Sequence, residues 1–171
     1  MVLPVNEQIA VAPYNELMVS RVTVLAATLN AGAAFDLFEI TGGPILVEAL
    51  FGHVTTLTGA GALLLRLAHT PDIAIYPGTG LVNICAAAGT IATDPVDTLY
   101  IWDGLNGDAI DPTTAVGICD TTENAWMGSG GPLILIEGVI SQTSAVACNA
   151  GEIDFYMLWR AQVANSRVIA Q

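Results

Sequence analysis

Two stretches of this chain share one pattern: Gly42-Gly43-Pro44-Ile45-Leu46-Val47-Glu48 and Gly130-Gly131-Pro132-Leu133-Ile134-Leu135-Ile136-Glu137. Each has two glycines, a proline, a run of aliphatic residues and a glutamate. The glycines permit a sharp turn, and proline is tolerated at a strand's first position because it donates no ladder hydrogen bond. The apolar runs need cover on both faces. The pattern predicts two central core strands, and their similarity is either chance or a structural pseudo-repeat.

Short β-rich segments alternate with glycine-marked turns from Arg21 onward, which is typical of an all-β sandwich or barrel. We therefore predict an all-β fold, an antiparallel β-sandwich or barrel that forms a single domain over residues 21–171. Residues 35–41 mix apolar and acidic side chains on both faces, which leaves their register open. The only helical patterns lie at 7–18 and 84–92. Strands are predicted at 22–29, 35–41, 44–58, 62–68, 82–86, 98–102, 114–119, 132–143 and 151–163.

Residues 1–20 contain two prolines and show neither helical nor strictly alternating periodicity. We predict that they form an extended N-terminal arm. Isolated arms are normally disordered, whereas this one carries apolar side chains that would be costly to leave in water. The arm is therefore expected to lie on a partner. The predicted partner-binding residues are Leu3, Val5, Ile9, Val11, Tyr14, Leu17 and Met18.

The charge balance limits the classes of partner. The 171 residues include 16 acidic side chains, four arginines and no lysine, for a formal net charge of -12. Such a surface repels phosphate, so we expect no binding to nucleic acid or to an anionic membrane. Charged residues make up 12% of the chain, against about 25% in average soluble proteins. This shortage indicates that subunits or a partner cover much of the surface.

The sequence also argues against a membrane-spanning helix and a secretory signal. The longest stretch without Asp, Glu, Arg or Lys is 73–93, but Pro77, three glycines and Asn83 interrupt it. It is therefore not the continuous run of about 20 apolar residues that a spanning helix requires. No basic residue precedes Arg21, so a signal peptide is not expected. Cys85, Cys119 and Cys148 form no C-x-x-C pair and are interpreted as free thiols in a reducing compartment.

No arrangement typical of a catalytic or metal site is present. His53 and His69 lie in different segments, and a chain without lysine cannot form a phosphate-binding P-loop. Residues 103–108, Asp-Gly-Leu-Asn-Gly-Asp, hold oxygen ligands for a hard cation but lack the spacing of a calcium loop. The three tryptophans either stack on sugar rings or pack at strand edges, and packing is favoured. We predict no metal, no cofactor and no enzymatic activity.

One enzyme family shares a fragment with this chain. Residues 150–156, Ala-Gly-Glu-Ile-Asp-Phe-Tyr, resemble part of a motif of the trimeric dUTPases. In that family the tyrosine is followed by Arg-Gly, whereas Met157 and Leu158 follow it here. The family's serine-containing phosphate motif and glycine-rich C-terminal arm are also missing. The resemblance therefore implies no dUTPase activity.

A second resemblance covers both ends of the predicted domain. Residues 38–47 (Phe-Glu-Ile-Thr-Gly-Gly-Pro-Ile-Leu-Val), residues 50–56 (Leu-Phe-Gly-His-Val-Thr-Thr) and the closing strand 151–159 (Gly-Glu-Ile-Asp-Phe-Tyr-Met-Leu-Trp) carry it. Together they resemble small β-rich virion structural proteins of tailed bacteriophages. The closing strand matches more loosely than the first two segments.

This resemblance implies a capsid decoration (cement) or head-auxiliary protein, commonly a homotrimer seated where major capsid subunits meet. The expected partners are the major capsid protein and further copies of this chain. The expected location is the capsid exterior of a virion assembled in the host cytoplasm. The alternative is a phage tail or surface adhesin module that binds host glycan, which tryptophans gathered in one exposed groove would support.

Overall fold

The structure, a computed structural model, describes residues 16–25, 34–59, 63–85, 90–91, 94–102, 111–112, 133–144 and 150–171. These residues contain strands, turns and bends but no helix, and hence no helix long and apolar enough to cross a membrane. The strands are β1 (Leu17–Leu25), β2 (Ala34–Thr41), β3 (Ile45–Thr56), β4 (Leu63–Pro71), β5 (Val82–Asn83), β6 (Thr90–Ile91), β7 (Leu99–Ile101), β8 (Asp111–Pro112), β9 (Leu133–Leu135), β10 (Gly138–Ser144), β11 (Glu152–Ala161) and β12 (Arg167–Ala170).

The strands form two antiparallel sheets. The first sheet has the order β1-β11-β3-β7-β8, with β9 also paired to β3. The second has the order β12-β2-β10-β4-β5, with β6 also paired to β4. Inward-facing residues of both sheets meet in one hydrophobic core, so the sheets pack face to face as a sandwich. The all-β prediction is confirmed, and of its two forms the described strands give the sandwich, since they do not close into a barrel.

The core is built from alternate residues of the long strands. In β11 the residues at odd positions point inward and those at even positions point outward, as the period of two requires. The described core residues are Val22, Val24, Leu37, Phe38, Ile40, Ile45, Val47, Leu50, Val54, Leu67, Ile84, Cys85, Tyr100, Trp102, Leu135, Ile140, Ile153, Phe155, Met157, Trp159 and Ala161.

The first glycine pair makes the sharp turn between β2 and β3. Gly42 has φ 74°, and a β-carbon there would lie 2.1 Å from the carbonyl oxygen of Asn165. The Pro44 carbonyl accepts hydrogen bonds from Gln162 N (3.1 Å) and Ser166 Oγ (2.7 Å), which ties the turn to the segment between β11 and β12. β3 then begins at Ile45. The predicted cover on both faces is wrong for this strand, because its outward apolar residues, such as Leu46 and Phe51, are only half-buried.

The two similar stretches pair with each other. β3 and β9 run antiparallel with Ile45 opposite Leu135 and Val47 opposite Leu133. The second copy is not a central strand buried on both faces as predicted, because the Ile134 side chain is 61% exposed. The predicted strand 132–143 also divides at Gly138: β9 belongs to the first sheet and β10 to the second.

A β-bulge in β2 separates its apolar side chains from its acidic ones. Ile140 of β10 lies opposite Phe38, but the next residue, Ser141, lies opposite Asp36, so Leu37 is an extra residue on β2. The bulge lets both Leu37 and Phe38 enter the core while Asp36 stays exposed. The acidic side chains of this strand therefore stay out of the core, which strict alternation does not allow.

Several boundaries differ from the prediction. β1 begins at Leu17 and pairs with β11 along its whole length, so residues 17–20, which were assigned to the arm, belong to the first sheet. Residues 84–92 were predicted helical, but 84–85 form a bend and 90–91 form a strand. β12, which pairs with β2, was not predicted. The predicted strand 114–119 lies outside the described residues.

Candidate functional site

The outer face of the first sheet carries exposed apolar side chains. In β1 the odd-numbered residues point outward, and Leu17, Val19 and Leu25 are 44%, 62% and 54% exposed. The ladder places Leu17 beside Arg160, Leu46 and Ile134 across four strands. We call the apolar side chains among the outward residues of β1, β11, β3 and β9 the outer apolar face. Arg160 and Glu48 also point outward and form an ion pair across β11 and β3 (Nε–Oε1 2.7 Å). Exposed apolar side chains gathered on one face of a sheet are typical of an interaction surface.

An aromatic row stiffens the middle of this face. Tyr156 of β11 lies opposite Phe51 of β3, and their rings stack with centroids 5.0 Å apart and planes 15° from parallel. On the other side, the Arg21 guanidinium carbon lies 5.8 Å from the centre of the Tyr156 ring, within cation–π range. These contacts restrain the three side chains against one another, which reduces the side-chain entropy that a partner must remove on binding.

A buried carboxylate lies at the edge of the row. Asp154 belongs to the outward side of β11 but is only 2% exposed, because Arg21, Thr23 and Tyr156 cover it. It accepts hydrogen bonds from Arg21 Nη2 (2.6 Å), Thr23 Oγ1 (2.6 Å) and the Tyr156 hydroxyl (3.4 Å). Burial raises the pKa of Asp154, but the hydrogen bonds from Thr23 and Arg21 outweigh it, and the pKa lies below its ordinary value.

Asp154 thus has a structural role in joining β1 to β11. We expect Asp154→Asn to lower the free energy of unfolding at pH 7 by about 1–3 kcal/mol, because charge-assisted hydrogen bonds are lost. A carboxyl group whose pKa is depressed on folding stabilises above its unfolded pKa of about 3.8 and loses that contribution as the pH falls through its folded value. The difference between wild type and variant in urea unfolding should therefore shrink below about pH 4. A difference that is constant from neutral to acid pH would contradict this role.

The structure describes two of the seven predicted partner-binding residues. Leu17 lies on the outer apolar face, whereas Met18 is half-buried and packs against the core. The other five, Leu3, Val5, Ile9, Val11 and Tyr14, lie outside the described residues. The role of these residues in partner binding stays a prediction.

Sequence reasoning missed Val19, Leu25 and Ile134. The signal for the first two was present, because Leu17, Val19 and Leu25 share one face of a strand of period two. The predicted arm boundary at residue 20 divided that pattern. Ile134 was read as a core residue, and the 61% exposure of its side chain in the folded chain shows that it faces out.

The histidines and tryptophans that the sequence analysis considered as chemical groups do not come together in one site among the described residues. His53 Nε2 lies 3.0 Å from Asp97 Oδ1, and buried His69 lies 3.1 Å from the Ile136 carbonyl. Among the side chains that the structure describes, no three His, Cys, Asp or Glu residues are close enough to hold a metal ion. Residues 103–108, the candidate cation loop, lie outside the residues that the structure describes. The indoles of Trp102 and Trp159 are buried in the core rather than presented to a sugar.

The fold and this surface define an all-β sandwich of two antiparallel sheets with an exposed apolar face on the first sheet. Comparisons with protein-family models, curated proteins and solved structures gave no match.

Proposed function

We propose that this chain is a virion structural protein, a capsid decoration protein that binds the outer capsid surface and bridges major capsid subunits. The resemblance to small β-rich virion proteins supplies the specific assignment. The segments that carry it, residues 38–47, 50–56 and 151–159, contribute to β2, β3 and β11, and β3 and β11 pair along their length. The resemblance rests on their strand-forming pattern rather than on a set of catalytic groups, which supports a structural role.

The observation that carries the proposal is the outer apolar face. Val19 and Ile134 are each more than half exposed, and an apolar surface of this kind is costly in an isolated monomer. The low content of charged residues agrees with extensive contacts between chains. We assign the outer apolar face to self-association, as a homotrimer, and the N-terminal arm to the capsid.

Burial of apolar surface would provide the stabilisation. Each Å² of apolar area removed from water contributes about 25 cal/mol, so contacts across a capsid junction link neighbouring subunits and oppose internal pressure. The net charge of -12 suits the outside of a shell packed with DNA, since it prevents competition from nucleic acid. The glycan-binding alternative gains no support from Trp102 and Trp159, whose rings are buried.

The test compares three variants with the wild type by light scattering and by co-sedimentation with emptied capsids that lack this protein. Val19→Asp/Ile134→Asp places two charges on the outer apolar face and is expected to convert the oligomer to monomer. Deletion of residues 1–15 leaves β1 intact and is expected to weaken capsid binding by about tenfold or more, with the oligomer retained.

Leu81→Asp/Val82→Asp is the matched control, because it adds the same charges at exposed apolar positions beside β5 of the second sheet. It should behave as wild type in the light-scattering measurement. A wild-type protein that is monomeric and does not sediment with capsids would refute the proposal. Retention of the oligomer by Val19→Asp/Ile134→Asp would refute the assignment of the outer apolar face.

A further inference from the structure

A cavity of about 540 Å³ lies on the second sheet, where β2, β4 and β10 meet the segment after β4. Its size is that of a site for a small ligand or for a side chain of another protein. We call it the acidic pocket. Its lining residues are Glu39, Ile40, Thr41, Gly42, Thr70, Pro71, Asp72, Ile73, Ile75, Glu137, Gly138 and Val139.

Two isoleucines extend one wall of the pocket into solvent. Ile73 and Ile75 are 66% and 50% exposed. A turn fixes them: Asp72 Oδ1 accepts a hydrogen bond from Ala74 N (2.8 Å), and the Asp72 carbonyl accepts bonds from Ile75 N (3.1 Å) and Tyr76 N (2.8 Å). An ordered turn that presents two large apolar side chains beside a cavity provides a surface for apolar atoms of a ligand.

The charged groups of the lining are all acidic. Glu39, Asp72 and Glu137 contribute three carboxylates, of which Glu39 Oε2 accepts a hydrogen bond from Gln171 Nε2 (3.0 Å). The lining itself contains no arginine or histidine, and Arg167 of β12 lies beside it, opposite Thr41 in the ladder. His69 packs beneath Gly138. Burial lowers the pKa of its imidazole, and the hydrogen bond to the Ile136 carbonyl offsets this effect only in part. His69 is therefore neutral at pH 7 and adds no positive charge to the pocket. Three carboxylates beside an apolar wall attract a cation with an apolar body and repel an anion.

We propose that the acidic pocket binds a basic side chain of a partner protein, an arginine or lysine flanked by apolar residues. The cationic head enters the pocket under the attraction of the Glu39, Asp72 and Glu137 carboxylates of its lining, and the flanking residues pack on Ile73 and Ile75. The methylene stem of such a side chain covers apolar surface while its head meets carboxylates. The identity of the partner as the major capsid protein rests on the proposed function, whereas the chemistry of the pocket does not.

The pocket and the outer apolar face lie on different sheets, so both surfaces can be occupied at once. One sheet is then available for self-association and the other for the capsid. A pocket that recognises a basic side chain also selects the partner, because a mismatched acidic side chain would meet three like charges.

The probe is the peptide acetyl-Leu-Arg-Leu-amide, followed through the isoleucine and valine methyl resonances of the full chain. The control peptide replaces arginine by citrulline, which has a similar shape but no charge. We expect the arginine peptide to bind about ten times more tightly or better and to shift the resonances of Ile73, Ile75 and Val139. Binding should weaken with added salt, because the carboxylates are partly exposed.

Glu39→Gln/Glu137→Gln should abolish most of the difference between the two peptides. Glu152→Gln removes one charge from β11 of the first sheet, beside Thr55 and away from the pocket. This variant should leave the difference between the two peptides unchanged. Equal binding of the arginine and citrulline peptides, or shifts confined to other methyl groups, would overturn the proposal. If the wild-type protein still sediments with capsids, either of these results refutes the pocket proposal and leaves the proposed function intact. Failure of the pocket proposal is thus distinguishable from failure of the proposed function.

Discussion

Gly138→Ala is expected to lower the free energy of unfolding by about 3–5 kcal/mol or to prevent folding altogether. Gly138 has φ 151°, where a side chain is strained, and its added β-carbon would lie 2.3 Å from the Thr70 carbonyl oxygen and 2.7 Å from Pro71 Cα. Both obstacles are backbone atoms of β4, so β10 and β4 must move apart at the point where the chain changes sheets. Urea unfolding followed by tryptophan fluorescence measures the change.

Two other glycines provide graded controls. Gly80 has open space around it and no unusual backbone angle, so Gly80→Ala should change stability by less than about 0.5 kcal/mol. Gly78 also has open space but φ 84°, so Gly78→Ala should cost only the backbone strain, about 1–2 kcal/mol. Equal stability of the Gly138 and Gly80 variants would show that the approach of β10 to β4 is not tight.

Phe155→Ala is expected to cost about 3–5 kcal/mol, because Phe155 is fully buried at the centre of the paired strands. Its ring lies against Gly52 directly opposite on β3, where a β-carbon would be 3.2 Å from Phe155 Cε1. The ring therefore occupies the space that a side chain at position 52 would need. The chemical-denaturation midpoint, with the slope of the transition as a check on two-state behaviour, measures the loss.

A double-mutant cycle tests this packing more sharply than the single change. Gly52→Ala should destabilise the wild type, since it crowds Ile153 and Phe155, but should stabilise the Phe155→Ala variant by filling part of the cavity. Phe51→Ala, on the outer face of the same strand, should cost about 1–2 kcal/mol, since it mainly removes a stacking contact. The same sign for Gly52→Ala in both backgrounds would contradict the close packing of Phe155 on Gly52.

The sequence predicted part of the outer apolar face but not the acidic pocket. The apolar character of Leu17 and the scarcity of charge were visible in the sequence, and both pointed to a contact surface. The acidic pocket was not visible, because Glu39, Asp72 and Glu137 are far apart in the chain and meet only where β2, β4 and β10 pair. Asp154 was noticed only as part of an enzyme-like fragment, since its partner Arg21 is 133 residues away.

The sequence by itself determined the all-β class, the positions of most long strands and the acidic surface. These properties depend on local patterns: alternation along β11, glycine and proline at the turn before β3, and the count of charges. Only the tertiary structure decided that β3 pairs with β9, that the chain changes sheets at Gly138, and that a bulge at Leu37 moves Asp36 out of the core. Those outcomes depend on complementarity between side chains distant in sequence, because several registers satisfy the same local alternation and only the shared core distinguishes them.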